Sequence, residues 1–184
     1  MNIGLLGGLF NPVHIGHILV ARQVLDFCGV DEVWLVPNFQ PPLPKPTAPP
    51  QDRLAMLRCV EGEKLKISTL EIDEALDGKT MSLLPHLPKE HSYNFIIGSD
   101  QLTTFHLWFQ WETLLKTIPF IVFPRYGYPT DPLYANMKVV GDADIVSTNI
   151  SSTRIRDRVK RGLSICEFVP PGVSEYIAAH GLYK

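Results

Sequence analysis

The 184-residue chain carries no excess of charge of one sign, few cysteines and no long uninterrupted apolar run. Its net charge of -2 gives no overall field to draw it to nucleic acid or to an anionic membrane. Any phosphate ligand must therefore be held by a local site. Cys28, Cys59 and Cys166 are odd in number and far apart, so they cannot all pair, and no two have metal-ligand spacing. Each falls in an apolar setting, which reads as a reduced core residue and favours a reducing, cytoplasmic compartment. No stretch approaches the length of a membrane span. The apolar start lacks the basic leader of a signal peptide and is broken at once by Gly7-Gly8, Asn11, Pro12 and His14. With no repeat, low-complexity tail or composition break, one domain over residues 1–184 is expected.

What is present is an alternation of short apolar runs and helical patterns. Asn2 to Leu6, Glu32 to Pro37, Lys64 to Thr69, Asn94 to Ile97 and Phe120 to Phe123 read as strands, with Val139-Val140 and Ile145-Val146 as weaker candidates. Ile15 to Cys28, a helix capped by Asp52, Thr80 to Leu87, Ser151 to Arg161 and Gly172 to His180 read as helices. The proline-crowded segment Asn38 to Pro50 can be neither helix nor central strand, and reads as a surface loop near the strand ends. This order predicts a doubly wound α/β domain, Rossmann-like, with a mostly parallel sheet.

Two segments carry chemistry. The first is the turn from Gly7 to His17, GGLFNPVHIGH. Glycines let the backbone approach a ligand, and Pro12 suits the start of a helix. The first helical turn presents unpaired N–H groups and the positive end of its dipole to an anion. His14 and His17 are three apart, so both rings share one face, with Gly16 between them keeping the surface clear for a bulky ligand. Two imidazoles there can donate to phosphate oxygens, more strongly if protonated. The plainer reading is one capping and one half-buried histidine. Zinc fails on spacing, because helix-borne zinc histidines lie four apart and no third ligand is near. The second segment is Asn149 to Arg156, NISSTRIR, where Ser151, Ser152 and Thr153 open a basic helix. Hydroxyls can cap the helix or donate to phosphate, and an arginine fork can neutralise polyphosphate. An ordinary cap before a solvated basic face fits equally well. An RNA-binding helix lacks the interleaved aromatics.

Together these segments resemble the nucleotidyltransferase superfamily with an H-x-G-H turn and a C-terminal I-S-S-T-x-x-R signature. The chain looks like its bacterial nicotinate-mononucleotide adenylyltransferase branch. The resemblance also takes in Asp52 to Leu57, Ile97 to Asp100, Trp108 to Leu115, Pro124 to Tyr128 and Tyr176 to Tyr183. It implies adenylyl transfer from ATP to a pyridine mononucleotide, giving deamido-NAD and pyrophosphate, with Mg²⁺ carried by ATP and no separate metal site. It further implies that His14 and His17 contact the reacting phosphates, His17 closest to the α-phosphate. Gly7, Gly8, Phe10, Asn11, Ile150, Ser151, Ser152, Thr153 and Arg156 would surround ATP, and Gly98 with Asp100 would face its ribose. Thr80, Trp108, Phe109 and Arg125 would receive the mononucleotide, Trp108 by stacking, while Trp111 belongs to the core. Lys45 is a candidate to reach either substrate from the proline loop. Two departures stand out: Asn11 replaces a frequent aspartate, and the S-Y-T-x-D-T stretch is here Gly78-Lys79-Thr80-Met81-Ser82-Leu83. The partners implied are small molecules, with no nucleic acid and no membrane, and a homo-oligomer is left open. Nicotinamide mononucleotide, phosphopantetheine and a non-catalytic nucleotide sensor are the rival readings.

Overall fold

The computed structural model describes residues 1–184 except Pro44, Pro132, Asp142 and Ala143. Six strands form one all-parallel sheet: β1 (Asn2–Gly8), β2 (Glu32–Pro37), β3 (Leu65–Ile67), β4 (Ser92–Gly98), β5 (Phe120–Phe123) and β6 (Met137–Val139). Their order is β3-β2-β1-β4-β5-β6. The sheet therefore reverses its winding between β1 and β4, and the crevice beyond their carboxyl ends is where such folds bind ligands.

Period-two alternation sends side chains to two separate cores. Leu6, Val33, Leu35, Ile96, Ile121 and Phe123 pack on one face under α1 (Ile15–Phe27), α2 (Pro50–Arg58), α6 (Ser152–Lys160) and α7 (Pro171–Ala179). Ile3, Leu5, Val36, Phe95, Ile97, Phe120 and Val122 point the other way. They are covered by the short helices α3 (Leu70–Asp73) and α4 (Thr80–Leu83), the 3₁₀ segment Ser99–Leu107 and α5 (Trp111–Thr117). The doubly wound expectation holds, and the sheet is wholly parallel among the described residues.

Several local expectations are corrected. β1 runs on through Gly7 and Gly8, so the turn starts only at Leu9. α2 begins at Pro50 after Pro49 rather than at Asp52, because a proline in the first turn has no N–H to leave unpaired. Asp52 instead accepts from the Tyr176 hydroxyl at 2.8 Å. Ile145-Val146 is not a strand: Gln23 of α1 satisfies both backbone groups of Val146, at 2.6 and 2.9 Å. The cysteines are unpaired and two are not core: Cys28 is half-buried and packs against the core, while Cys59 and Cys166 are exposed at a helix end and in a turn. Among the described residues no helix is long and apolar enough to cross a membrane.

Candidate active site

The carboxyl ends of β1 and β4 deliver two glycines whose missing Cβ atoms make room for neighbours. A Cβ on Gly7 would lie 2.8 Å from the Phe95 ring, so this glycine serves sheet packing as well as any ligand. A Cβ on Gly98 would strike the Asp100 carboxylate and, at 2.6 Å, the Arg125 side chain. Gly16 likewise clears space for the His14 ring and Thr148, at 3.0 and 3.2 Å. The residue that takes the left-handed turn conformation is Phe10, at φ 48°. Its buried ring then meets the edge of His17, with centroids 4.9 Å apart.

His14 is the extended N-cap residue of α1. Its backbone N–H donates to Nδ1 of His17 at 3.2 Å, which leaves the His17 proton on Nε2 as a free donor. The two rings stack with centroids 3.7 Å apart. His14 is 3 % exposed and its Nδ1 has no partner among the described residues. Burial, with the Arg125 charge adding to it, lowers the His14 pKa to about 3. Burial first, then His14 and Arg125, depress His17 as well. Both imidazoles are therefore neutral before an anion arrives, and a phosphate in front of them would favour protonation.

The second segment is tied directly to this turn. Ser151 caps α6 by accepting from Arg154 N–H at 3.3 Å. Ser152 Oγ donates to the Pro12 carbonyl at 2.9 Å, and Arg156 Nη1 donates to the Asn11 carbonyl at 2.8 Å. Arg156 Nη2 also reaches Thr153 Oγ1 at 3.2 Å. Asn11 is held further by its side-chain oxygen, which accepts from Tyr183 Oη at 2.8 Å and from Ala48 N–H at 3.1 Å. Two helix N-termini thus converge on one turn. Ile150 sits just before this start, its N–H bonded to Thr148 Oγ1 at 3.1 Å.

Arg53 is a residue that the sequence motifs alone did not single out. It is fully buried, without a carboxylate partner among the described residues, and its donors go to the carbonyls of Ala48, Leu9 and Phe39 at 3.1, 2.8 and 2.9 Å. One guanidinium thereby fixes both the turn after β1 and the proline loop. Burial lowers its pKa from the usual value. A lone arginine inside a helical pattern gives no sequence signal of this role.

On the other side of the turn, Asp100 and Arg125 form an ion pair at 3.5 Å, and Arg125 N–H donates to Ser99 Oγ at 3.0 Å. The Arg125 charge lowers the pKa of both histidines, so Arg125 lies near the turn that carries them. Trp108 is half-buried, with Phe105 and Phe95 rings 5.2 and 6.3 Å away. Phe95 is the ring that lies against Gly7. Phe109 is exposed, and Lys79 Nζ stands 5.0 Å from its centroid, next to Thr80. Lys79 is also pinned to Asp77 at 2.7 Å. Trp111 packs on Phe105 and Tyr134. Lys45 is exposed on the proline loop. Among the described residues no group of three or more His, Cys, Asp or Glu could hold a metal ion.

Residues 5–158 match the family model for cytidylyltransferase-like proteins. The chain belongs to this family. Within it, the nicotinate-nucleotide adenylyltransferase branch is shown by whole-length relatives. A probable nicotinate-nucleotide adenylyltransferase of Lactiplantibacillus plantarum is 37% identical, covering 99% of this chain and 88% of the relative. The Salinibacter ruber protein of the same name is also 37% identical, over 100% of this chain and 98% of its own. The fold matches Plasmodium falciparum nicotinic acid mononucleotide adenylyltransferase complexed with NaAD, at TM-score 0.82 and 21% identity, with 99% and 97% of the two chains covered. In this chain the histidine-bearing start of α1 and the start of α6 converge at the switch point of the sheet.

Proposed function

We propose that the chain transfers the adenylyl group of ATP to nicotinate mononucleotide, forming deamido-NAD and releasing pyrophosphate. The observation that carries this reading is the junction of α1 and α6 on the Asn11–Pro12 turn, made by Ser152 and Arg156. Two helix N-termini and a guanidinium around one turn suit a polyphosphate bent at its α-phosphorus. A mononucleotide phosphate oxygen attacks that phosphorus as its bond to the bridging oxygen breaks. Catalysis then needs alignment and charge stabilisation rather than a protein nucleophile.

In this reading Nε2–H of His17 donates to an α-phosphate oxygen, and His14 supports it by stacking. Ser151, Ser152, Thr153 and Arg156 hold the departing β- and γ-phosphates, and Arg125 adds charge beside the histidines. Mg²⁺ enters as part of the ATP substrate, with phosphate oxygens as its ligands. Gly98 and Asp100 face the ribose. Trp108 supplies the stacking surface for the pyridine, with Thr80 and Phe109 at its edge. The Lys79 ammonium beside Phe109 favours an acid over an amide there. Unpaired cysteines accord with a reducing cytoplasm.

Pyrophosphate release is measured with ATP, Mg²⁺ and nicotinate or nicotinamide mononucleotide in turn. Faster release with the nicotinate form is expected. Folded protein that releases none with either substrate refutes the reading.

A further inference from the structure

Gln23 of α1 takes no part in the chemistry above, yet it is 8 % exposed and both polar atoms of its amide are engaged. Its Oε1 accepts from Val146 N–H at 2.6 Å, while its Nε2 donates to the Val146 carbonyl at 2.9 Å and to the Leu19 carbonyl at 3.0 Å. One amide thus meets both backbone groups of a single residue, as a neighbouring strand would, in a segment that forms no strand. The Val146 side chain is itself 58 % exposed, so the amide and not burial anchors this residue. Gln23 follows Gly16 by about two helical turns, and the two share one face of α1. At Gly16 the missing Cβ leaves room for Thr148, whose Oγ1 accepts from Ile150 N–H. The segment from Val146 to Ile150 therefore runs back along α1 from Gln23 toward His14, and it delivers Ser151, the N-cap of α6. Ser152 and Arg156 tie the α6 start to the Asn11–Pro12 turn; Gln23 ties down the chain just ahead of it.

We propose that Gln23 is a positioning residue: its amide holds the segment before α6 in register with α1, and so sets where Ser151, Ser152 and Thr153 stand relative to His17. The proposal rests on the reading that these hydroxyls hold the β- and γ-phosphates of ATP. A polyphosphate gripped by two helix starts at once needs their separation fixed, because a misplacement of about 1 Å can cost about 10²-fold at a reacting centre. Gln23 acts through Val146 and touches no reacting group. The shelf around Trp108 belongs to the core on the other face of the sheet, so the effect is confined to ATP.

Q23M keeps the length of the side chain and removes all three bonds. Val146 lies at the surface, where water can take over its backbone groups, so the urea midpoint should stay near that of wild type. Calorimetry with α,β-methylene-ATP and Mg²⁺ should show a Kd raised about tenfold, with the KM for the mononucleotide unchanged. Wild-type affinity in folded Q23M overturns the proposal. Coupling is reciprocal, so the bound analogue should in turn tighten the Gln23–Val146 contact of wild type. The Val146 amide should then exchange with deuterium about tenfold more slowly than in the free protein. A merely structural glutamine would not link Val146 to nucleotide, and an exchange rate that the analogue leaves unchanged overturns the proposal even if Q23M does not fold. A wild type that binds the analogue but makes no dinucleotide sinks the functional reading, with both binding measurements still deciding Gln23. A wild type that does not bind the analogue overturns the phosphate-site reading and this proposal together.

Discussion

The turn at residues 7–17 and the shelf formed by Lys79, Thr80, Trp108 and Phe109 lie on the same edge of the sheet but are built differently. The turn is buried and sewn down from distant parts of the chain by Ser152, Arg156, Tyr183, Ala48 and Arg53. The shelf rests on ring packing and on one ion pair two residues apart, with Phe109 half exposed. Hydrogen bonds from several elements fix atoms to fractions of an ångström, as transition-state charge stabilisation requires. Packed rings and an exposed edge fix only a plane, which suffices to receive a flat substrate. In the proposed function this difference assigns the tightly bonded half to catalysis and the ring-packed half to recognition.

The strongest way to break this comparison is His17→Ala. It should lower kcat by about 10²–10³-fold, the usual effect of one oxyanion-type donor, with little change in ATP binding. Steady-state kinetics with an ATP-binding isotherm separates the two. Arg53→Met should come next. It removes the guanidinium donors of the Ala48, Leu9 and Phe39 carbonyls from the interior and should cost about 3 kcal/mol or more in urea unfolding. Trp108→Leu tests the shelf: KM for the mononucleotide should rise about tenfold with kcat nearly unchanged, in keeping with loss of one stacking surface. If it lowered kcat as much as His17→Ala does, the two halves would not be distinct.

The smallest expected effect is a pH slope. His14 has a native pKa of about 3 against 6.5 in the unfolded chain. The unfolded state therefore binds the extra proton between those values, and the stability present above pH 6.5 is lost on acidification. By linkage His14 contributes about 1.4 kcal/mol per pH unit below about 6. Urea midpoints of wild type and His14→Asn at pH 7.5, 6.5 and 5.5 check the slope, which the variant should flatten.

The sheet and both helix starts were legible because they rest on local signals: apolar runs, glycines after strands, and hydroxyls before a helical period. α2 was misplaced at Asp52 because capping preference and proline at the first helical position compete, and the proline won. The cysteines were read as core because helix-end and turn positions can lie within apolar-looking sequence. Arg53 and Gln23 were not legible in role, because a buried side chain bound to backbone groups of remote loops has no sequence period. The Gly7 and Gly16 reasons were incomplete for a similar cause: the Phe95, His14 and Thr148 atoms that need the space are set by the tertiary fold.

Tyr183 and Asn11 lie far apart in the chain, yet the Tyr183 hydroxyl donates to the Asn11 side-chain oxygen. The contact joins positions 172 apart, and the Ser152 and Arg156 contacts to the same turn span 140 and 145. Such closures form late, since long loops must be ordered before they are rewarded. A chain emerging from the ribosome could hold its first strand and helix long before it holds this geometry. Turnover would then report that the Tyr183 segment has docked on the turn, so activity itself reads out this long-range closure.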